Sequence, residues 1–147
     1  MPVYNFNVVD LINTILYQGR KSENPFEIIC IDDGSNKETL KLNSEISSNK
    51  SVNYQILKRN IGRSKIRNLF LEISNYENLL FIDCDCSIQN GNFLEKYFEQ
   101  LNNSVVYGGR KHHDKPPKNK NKKLRWLYGI KKEDQTFNYR VENPYHS

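Results

Sequence analysis

The chain has 147 residues and a net charge of +5, with 37% hydrophobic and 12% aromatic residues. This length suits one domain and excludes a large multidomain enzyme, and the aromatic content excludes a disordered chain. No apolar run approaches the roughly 20 residues of a membrane span and no secretory signal is visible, so we expect a cytoplasmic protein.

The first part of the chain predicts two strand and helix units. Apolar residues at helical spacing predict an amphipathic helix from Val8 to Gln18, and a weaker helical pattern runs from Lys37 to Ile46. The apolar run from Phe26 to Ile31 predicts a buried strand, and the alternation from Val52 to Leu57 predicts a second one.

The pattern of strand and helix continues further along the chain. The spacing of Ile66, Leu69, Phe70 and Ile73 predicts a helix with one apolar face. We expect a buried strand over 79–82, a helix over 93–101, a short strand over 105–107 and a short aromatic element over 124–128. This order predicts an α/β fold with a mostly parallel sheet and helices on both faces.

Acidic residues follow two of the predicted strands. Asp32 and Asp33 begin the turn Asp32-Asp33-Gly34-Ser35, and Asp83 and Asp85 stand two apart after the strand over 79–82. If that strand continues through them, both carboxylates leave the same face and could hold Mg²⁺ or Mn²⁺. The alternatives are helix capping and ordinary turn chemistry. Because ligands gather at the carboxyl ends of parallel strands, we expect the two acidic pairs to converge.

The segment Asn60-Ile61-Gly62-Arg63 leads into the helix that carries Arg67. Backbone donors and guanidinium groups at a helix start can bind an anion. The alternative is an ordinary helical turn with both arginines solvated.

The cysteines and histidines have plainer interpretations. Cys30, Cys84 and Cys86 are odd in number and lie in apolar segments, which indicates reduced packing thiols rather than disulfides or a zinc site. The tandem pair His112-His113 in a lysine-rich stretch is interpreted as polar surface.

Most of the positive charge lies in one segment. Residues 110–132 contain ten Lys or Arg and one Asp, a local charge of +9, whereas the rest of the chain sums to −4. Nucleic acid, anionic lipid headgroups or a diphosphate would be attracted to such a segment, and the alternative is a solvated flexible loop.

Taken in order, four motifs resemble the nucleotide-binding half of family 2 glycosyltransferases of the GT-A type. They are Pro2-Val3-Tyr4-Asn5, Ile31-Asp32-Asp33-Gly34-Ser35, Asn60-Ile61-Gly62 with Ile66-Arg67-Asn68, and Phe81-Ile82-Asp83-Cys84-Asp85. The resemblance covers residues 2 to about 109. It implies a Rossmann-like GT-A fold and transfer of a sugar, with inversion, from a nucleotide-diphosphate sugar to an acceptor in polysaccharide biosynthesis.

The resemblance also implies roles for individual residues. Tyr4 and Asp33 would contact the nucleoside base, Asp32 would support its turn, Arg67 would lie near the base or diphosphate, and Asp83 would face the ribose or sugar. The implied nucleotide-sugar site comprises Pro2, Tyr4, Asp32, Asp33, Asn60, Arg67 and Asp83. Asp85 together with Asp83 would bind the metal, Mn²⁺ or Mg²⁺.

The chain departs from the family pattern at both ends. Met1 stands directly before the first motif, so the family's central strand is missing or reduced to a stub. The sequence stops at Ser147, before the acceptor half where the family carries its catalytic base. We therefore expect a nucleotide-sugar-binding region over 1–109, a basic loop and the start of the acceptor region over 110–147, and a truncated chain that binds donor.

These inferences name a set of partners. We expect a UDP-sugar as the favoured donor, a glycan or lipid-linked acceptor, and contact of the basic segment with an anionic membrane. One alternative is a nucleic-acid-binding protein that uses residues 110–132, with Trp126 and Tyr128 stacking on bases. Another is a receiver-like signalling domain, which the Gly108-Gly109-Arg110 sequence after the last strand disfavours.

Overall fold

The computed structural model describes residues 1–102, 108–109 and 111–143. The chain divides into two compact units near residue 103, and each is described by itself. The strand expected over 105–107 lies outside the described residues. The assignment of residues 1–109 to donor binding and 110–147 to the acceptor region remains a prediction about function.

The first unit contains a parallel three-stranded sheet in the order β1-β2-β3. Its strands are β1 (Pro2–Val3), β2 (Ile28–Asp32) and β3 (Val52–Ile56). The two predicted strands at 26–31 and 52–57 are therefore confirmed. The strand expected as a stub is also present, because β1 has only two residues and pairs with the end of β2.

Apolar packing covers both faces of β2, and all five residues of this strand are buried. Ile28 and Cys30 belong to one apolar cluster, which includes residues of the first helix. Ile29 and Ile31 belong to a second cluster, with Ile66 and Phe70 of a later helix. Because successive side chains of a strand leave opposite faces, this alternation places helices on both sides of the sheet. The predicted α/β architecture with a parallel sheet is confirmed.

The helices of the first unit follow the predicted positions. They are α1 (Val9–Gly19), α2 (Lys37–Asn43), α3 (Arg63–Ile73) and α4 (Phe93–Phe98). The helix expected to reach Ile46 is α-helical only to Asn43 and continues as a 3₁₀ helix over Ser44–Ser48. Asn36 is the N-cap of α2, since its side chain accepts a hydrogen bond from the Thr39 N–H.

The prediction of a buried strand over residues 79–82 is wrong. The segment has no strand pairing, and Leu79, Leu80 and Phe81 are 36%, 38% and 43% exposed. A fourth strand beside β1 would find only two residues there to pair with, which is too little backbone to order a ladder. Ile82 still packs against the core cluster, so the segment lies on the sheet through side chains rather than through backbone hydrogen bonds.

Two buried amides fix the loops that border the sheet. The Asn43 side chain is fully buried, accepts a hydrogen bond from the Val8 N–H and donates one to the Phe6 carbonyl. The Gln18 side chain donates to the Asn90 carbonyl and accepts from the Leu94 N–H. The entry into α1 and the start of α4 are therefore held by the helices beside them.

The second unit is helical over much of its described length. A 3₁₀ turn over Lys120–Lys122 leads into α5 (Lys123–Tyr128), a π-helical turn (Gly129–Glu133) and α6 (Phe137–Glu142). The aromatic element expected over 124–128 is therefore a helix. In the ranges that the structure describes, no helix is long and apolar enough to cross a membrane.

Candidate functional site

A cleft of about 470 Å³ lies at the carboxyl ends of the strands in the first unit. Six of the predicted site residues line it: Pro2, Tyr4, Asp33, Asn60, Asp83 and Asp85. The predicted convergence of the two acidic pairs is thus observed for three of the four carboxylates. Asp32 and Arg67 lie next to the cleft without lining it. Its other lining residues are Val3, Phe6, Gly62, Arg63, Ile66 and Cys84.

Asp32 holds the turn that follows β2. Its side chain is fully buried, and Oδ1 accepts a hydrogen bond of 2.7 Å from the Ser35 N–H. Oδ2 accepts a hydrogen bond of 3.1 Å from the Tyr54 hydroxyl. Burial and the neighbouring Asp32 carboxylate raise the pKa of Tyr54, so this hydroxyl keeps its proton and acts as a donor. Asp32 therefore supports the turn Asp32-Asp33-Gly34-Ser35 through its side chain, and a part for it in nucleotide binding stays a prediction.

Asp33 joins the end of β2 to the start of α3. Its Oδ1 accepts a hydrogen bond of 2.7 Å from the Ile61 N–H, and its Oδ2 accepts one of 3.0 Å from the Gly62 N–H. Backbone donors before a helix favour a carboxylate, since they lack partners within the helix. The Asn60-Ile61-Gly62 motif therefore already binds an anionic group, the side chain of Asp33.

Two glycines shape the walls where these loops meet. Gly34 has φ +78°, and a Cβ on it would stand 2.9 Å from the Asn60 backbone nitrogen. Gly62, which precedes α3, has φ +87°, and open space surrounds its missing Cβ. Both positions have a positive φ, which glycine adopts without strain, and Gly62, with ψ 158°, lies in a backbone region that is essentially restricted to glycine. Only Gly34 also has a neighbouring backbone in the way.

The loop after β1 presents aromatic side chains to the cleft. Tyr4 and Phe6 are 52% and 42% exposed. The loop is anchored between them, because the Asn5 N–H donates to the Ser35 hydroxyl and the Asn5 side chain accepts from the Asn36 N–H. Phe6 was not among the predicted site residues, although its position between the first motif and the predicted helix at Val8 was an available signal.

Asp83 is engaged by both arginines of α3. Nη2 of Arg63 lies 2.9 and 2.7 Å from its two carboxylate oxygens, and Nη2 of Arg67 lies 3.4 Å from Oδ1. The Arg67 guanidinium also lies 5.9 Å from the centroid of the Phe81 ring, a cation–π distance. The interpretation of both arginines as merely solvated is therefore wrong.

The sequence predicted that Asp83 and Asp85 leave the same face of a strand, and this prediction is wrong. The Cys86 N–H donates to the Asp83 carbonyl, so these residues form a turn. Both carboxylates reach the cleft in this way. The Asp85 side chain makes no hydrogen bond or ion pair to any other residue that the structure describes.

This arrangement bears on the divalent cation that the resemblance implied. The described part of the chain has no group of three or more His, Cys, Asp or Glu side chains suited to one metal ion. Asp85 offers an unengaged carboxylate, a ligand that Mg²⁺ and Mn²⁺ accept, and these ions keep room for phosphate oxygens and water. Asp83 is less available, because the guanidinium groups of Arg63 and Arg67 contact its carboxylate oxygens. The cleft therefore fits such an ion through Asp85 first.

The three thiols differ in their surroundings. Cys30 is fully buried, and burial raises its pKa to about 11. Cys84 packs against the core cluster, and burial raises its pKa as well. Both are packing residues, as predicted. The same prediction for Cys86 is wrong, because the turn after Asp83 exposes it.

In the second unit, His112 is not ordinary polar surface. Its ring Nδ1 lies 2.6 Å from an Asp134 carboxylate oxygen, and its backbone N–H also donates to this carboxylate. Since a carboxylate only accepts, Nδ1 carries the proton. Burial alone would raise the pKa of Asp134, but the hydrogen bonds and charge of His112 hold it below its usual range. Glu133 lies 3.5 Å from Nε2 and 3.0 Å from Arg125.

The comparisons with known proteins identify the family of this chain. The model of the family described as "Glycosyl transferase family 2" matches residues 1–146. The chain belongs to glycosyl transferase family 2. Membership is consistent with the parallel sheet flanked by helices, a Rossmann-like GT-A arrangement.

Two curated proteins are similar to this family 2 chain. It is 26% identical over 119 residues to a chondroitin synthase of Pasteurella multocida, a match that covers 78% of the chain and 12% of that protein. It is 32% identical over 107 residues to an uncharacterized glycosyltransferase of Haemophilus influenzae, covering 72% of the chain and 42% of that protein. The chain thus spans less than half the length of either relative. No solved structure matches it significantly.

Replacement of Gly34 by Ala tests the junction between β2 and α3. In Gly62→Ala, the backbone conformation alone should lower the free energy of unfolding by about 1–3 kcal/mol, because open space surrounds the added Cβ. Gly34→Ala should lower it by about 1–3 kcal/mol more, because the added Cβ overlaps the Asn60 backbone. Urea unfolding followed by circular dichroism measures both. Equal unfolding midpoints for the two variants would contradict the close approach.

Replacement of His112 tests the charge pair of the second unit. A carboxylate with a lowered pKa stabilises the fold above its unfolded-state pKa, and this contribution is lost as pH falls through the lower folded value. His112→Ala removes the ring donor, so the pKa of Asp134 should rise towards its usual value. NMR titration of the Asp134 carboxyl carbon measures the change. His113→Ala is the control, and an equal shift in that variant would refute the assignment to His112.

Proposed function

We propose that this chain forms the donor-binding part of a glycosyltransferase, which transfers a sugar from a nucleotide-diphosphate sugar to an acceptor. The observation that carries the proposal is the cleft at the ends of β1, β2 and β3. It combines exposed aromatic rings, one arginine that lines it, a second arginine beside it, and one unengaged carboxylate, Asp85. Its volume of about 470 Å³ lies in the range of small-molecule sites.

Each part of a nucleotide-diphosphate sugar has a counterpart in the cleft. Tyr4 and Phe6 offer ring faces against which a nucleoside base can stack. Asp33 and Asn60 lie at the wall beside them, where the base and ribose would rest, and Pro2 belongs to the same wall. Asp32 contributes through the turn that it holds, since it is fully buried.

The diphosphate would lie near the charged side of the cleft. Asp85 would hold Mn²⁺ or Mg²⁺, with Asp83 as a second ligand if it leaves its arginines. A divalent cation bound there would supply positive charge to offset the charge that develops on the leaving diphosphate, so that no acid catalyst would be needed. Arg67 lies beside Asp83 and would add to the positive field around the diphosphate.

We propose inversion at the anomeric carbon, with direct attack by the acceptor. Among the cleft residues, both Asp33 oxygens are occupied by backbone donors and Asp83 is paired with arginines. Asp85 would be a ligand of the cation. We therefore assign no catalytic base within the cleft.

A glycan is the acceptor class that the relatives support. One relative is named chondroitin synthase, which favours a role in polysaccharide biosynthesis. A UDP-sugar is the donor we favour. A lipid-linked acceptor agrees with the basic character of residues 110–132 in the second unit. Helix α5 of this unit also carries an exposed leucine, Leu124 (78%).

The role of Asp85 is tested by calorimetric titration of UDP, with GDP for comparison, in the presence and absence of Mn²⁺. Binding of UDP should require Mn²⁺, and Asp85→Asn should weaken it at least about tenfold, or 1.4 kcal/mol, because a charged ligand is lost. The control is Asp10→Asn, which removes an exposed carboxylate in the first turn of α1. Equal affinities in the two variants would refute the metal-binding role of Asp85.

Contact of the second unit with anionic lipid is tested by cosedimentation with vesicles. Each lysine near an anionic surface contributes about 1 kcal/mol, so replacing four lysines with Gln should weaken binding to phosphatidylserine-containing vesicles about a hundredfold or more. The replaced residues are Lys118, Lys120, Lys122 and Lys123. The control replaces four exposed lysines of the first unit: Lys37, Lys41, Lys50 and Lys58. Equal sedimentation of both variants would rule out this surface.

A further inference from the structure

Arg63 occupies a place in the cleft that the proposed function leaves unexplained. It is the first residue of α3, it lines the cleft, and its Nη2 contacts both oxygens of Asp83 at 2.9 and 2.7 Å. This contact places a positive charge against both oxygens of the carboxylate that a divalent cation beside Asp85 would share, and it therefore opposes binding of the cation to Asp83. In the structure, Arg63 therefore stands where a cation would compete for Asp83.

The two arginines of α3 are held differently. Arg67 makes a longer contact to Asp83, 3.4 Å, and its guanidinium lies against the Phe81 ring. Arg63 has the shorter contact but a side chain that is 65% exposed, against 44% for Arg67. Among the ring contacts of the described residues, none involves Arg63. Among the hydrogen bonds, ion pairs and ring contacts of the described residues, movement of the Arg63 side chain would break its pair with Asp83 and none of the ring contacts.

Exchange of this pair for a stronger anion would cost little. Ion pairs between exposed side chains contribute little to stability, because water solvates both partners when they separate. A diphosphate carries more charge than one carboxylate and offers several oxygens to a guanidinium. The Arg63 side chain is 65% exposed, so it has room to turn towards such a ligand.

We propose that Arg63 binds the diphosphate of the donor and, in the absence of donor, blocks Asp83 from a divalent cation. The inference rests on the proposed donor site and specifies how the diphosphate and the cation bind there. Diphosphate draws Arg63 away from Asp83, and the freed carboxylate then joins Asp85 in the same cleft. Tight cation binding thus depends on the presence of a diphosphate.

Replacement of Arg63 by Gln should change the affinities for Mn²⁺ and for UDP in opposite directions. Mn²⁺ alone, measured by electron paramagnetic resonance of the free ion, should bind about tenfold more tightly, because the competing guanidinium is gone. UDP at saturating Mn²⁺, measured by calorimetry, should bind about tenfold more weakly, because a phosphate contact is gone. Uridine, which has no phosphate, should bind with unchanged affinity.

The matched control is Lys65→Gln, which removes an exposed positive charge from the same helix without lining the cleft. It should leave all three affinities unchanged, and Arg63→Lys should restore part of the UDP affinity. Weaker binding of both Mn²⁺ and UDP in Arg63→Gln would overturn the proposal in favour of a structural role, and unchanged binding of both would reduce the pair to a surface contact.

The same titrations separate the two levels of inference. A wild-type chain that binds no UDP with Mn²⁺ would overturn the donor site and the role of Arg63 together. A wild-type chain that binds UDP, with an Arg63→Gln variant that behaves like Lys65→Gln, would overturn the role of Arg63 alone.

Discussion

The carboxylate of Asp33 accepts hydrogen bonds from two consecutive backbone N–H groups, those of Ile61 and Gly62. This contact ties the end of β2 to the start of α3, and the walls of the cleft depend on it. Gly34 makes the approach possible, since a larger residue would meet the Asn60 backbone. Once α3 starts at this point, Arg63 and Arg67 are brought to Asp83.

The burial of β2 stabilises this junction between β2 and α3. The five residues of β2 are buried, and their alternation sends side chains into apolar clusters on both faces of the sheet. A strand fixed on both faces cannot shift its register without moving every side chain to the wrong side. The carboxylates at its end are therefore held by the core, and the more exposed groups around the cleft remain free to adjust to a ligand.

The charges of the cleft explain how an anionic donor could bind beside acidic residues. Asp32 and Asp33 are occupied by donors of the protein itself, and Asp83 is neutralised by two arginines. Asp85 is the carboxylate that the described residues leave unengaged. A cation bound to Asp85 and the guanidinium of Arg63 would together offset the charge of a diphosphate.

Local pattern was sufficient to predict the elements whose stability is local. The buried run of β2, the apolar stripe of α3 and the polar turn after Asp32 each carry their own signal in neighbouring residues. The resemblance to family 2 glycosyltransferases likewise rested on short motifs in order along the chain, and the family match confirms it. Convergence of acids at the strand ends followed from the rule for parallel sheets.

Pairing between distant residues could not be predicted in this way. The apolar run over 79–82 resembles a strand, but whether it pairs depends on β1, about eighty positions away, which offers only two residues. The partners of Asp83 lie 16 and 20 positions away, and those of His112 include Asp134, 22 positions away. The sequence by itself determined the family, the α/β architecture and six of the residues that line the cleft, because these follow from local pattern and strand order. Only the tertiary structure decided which charges face one another, because hydrogen bonds and ion pairs depend on distances set when the whole unit packs.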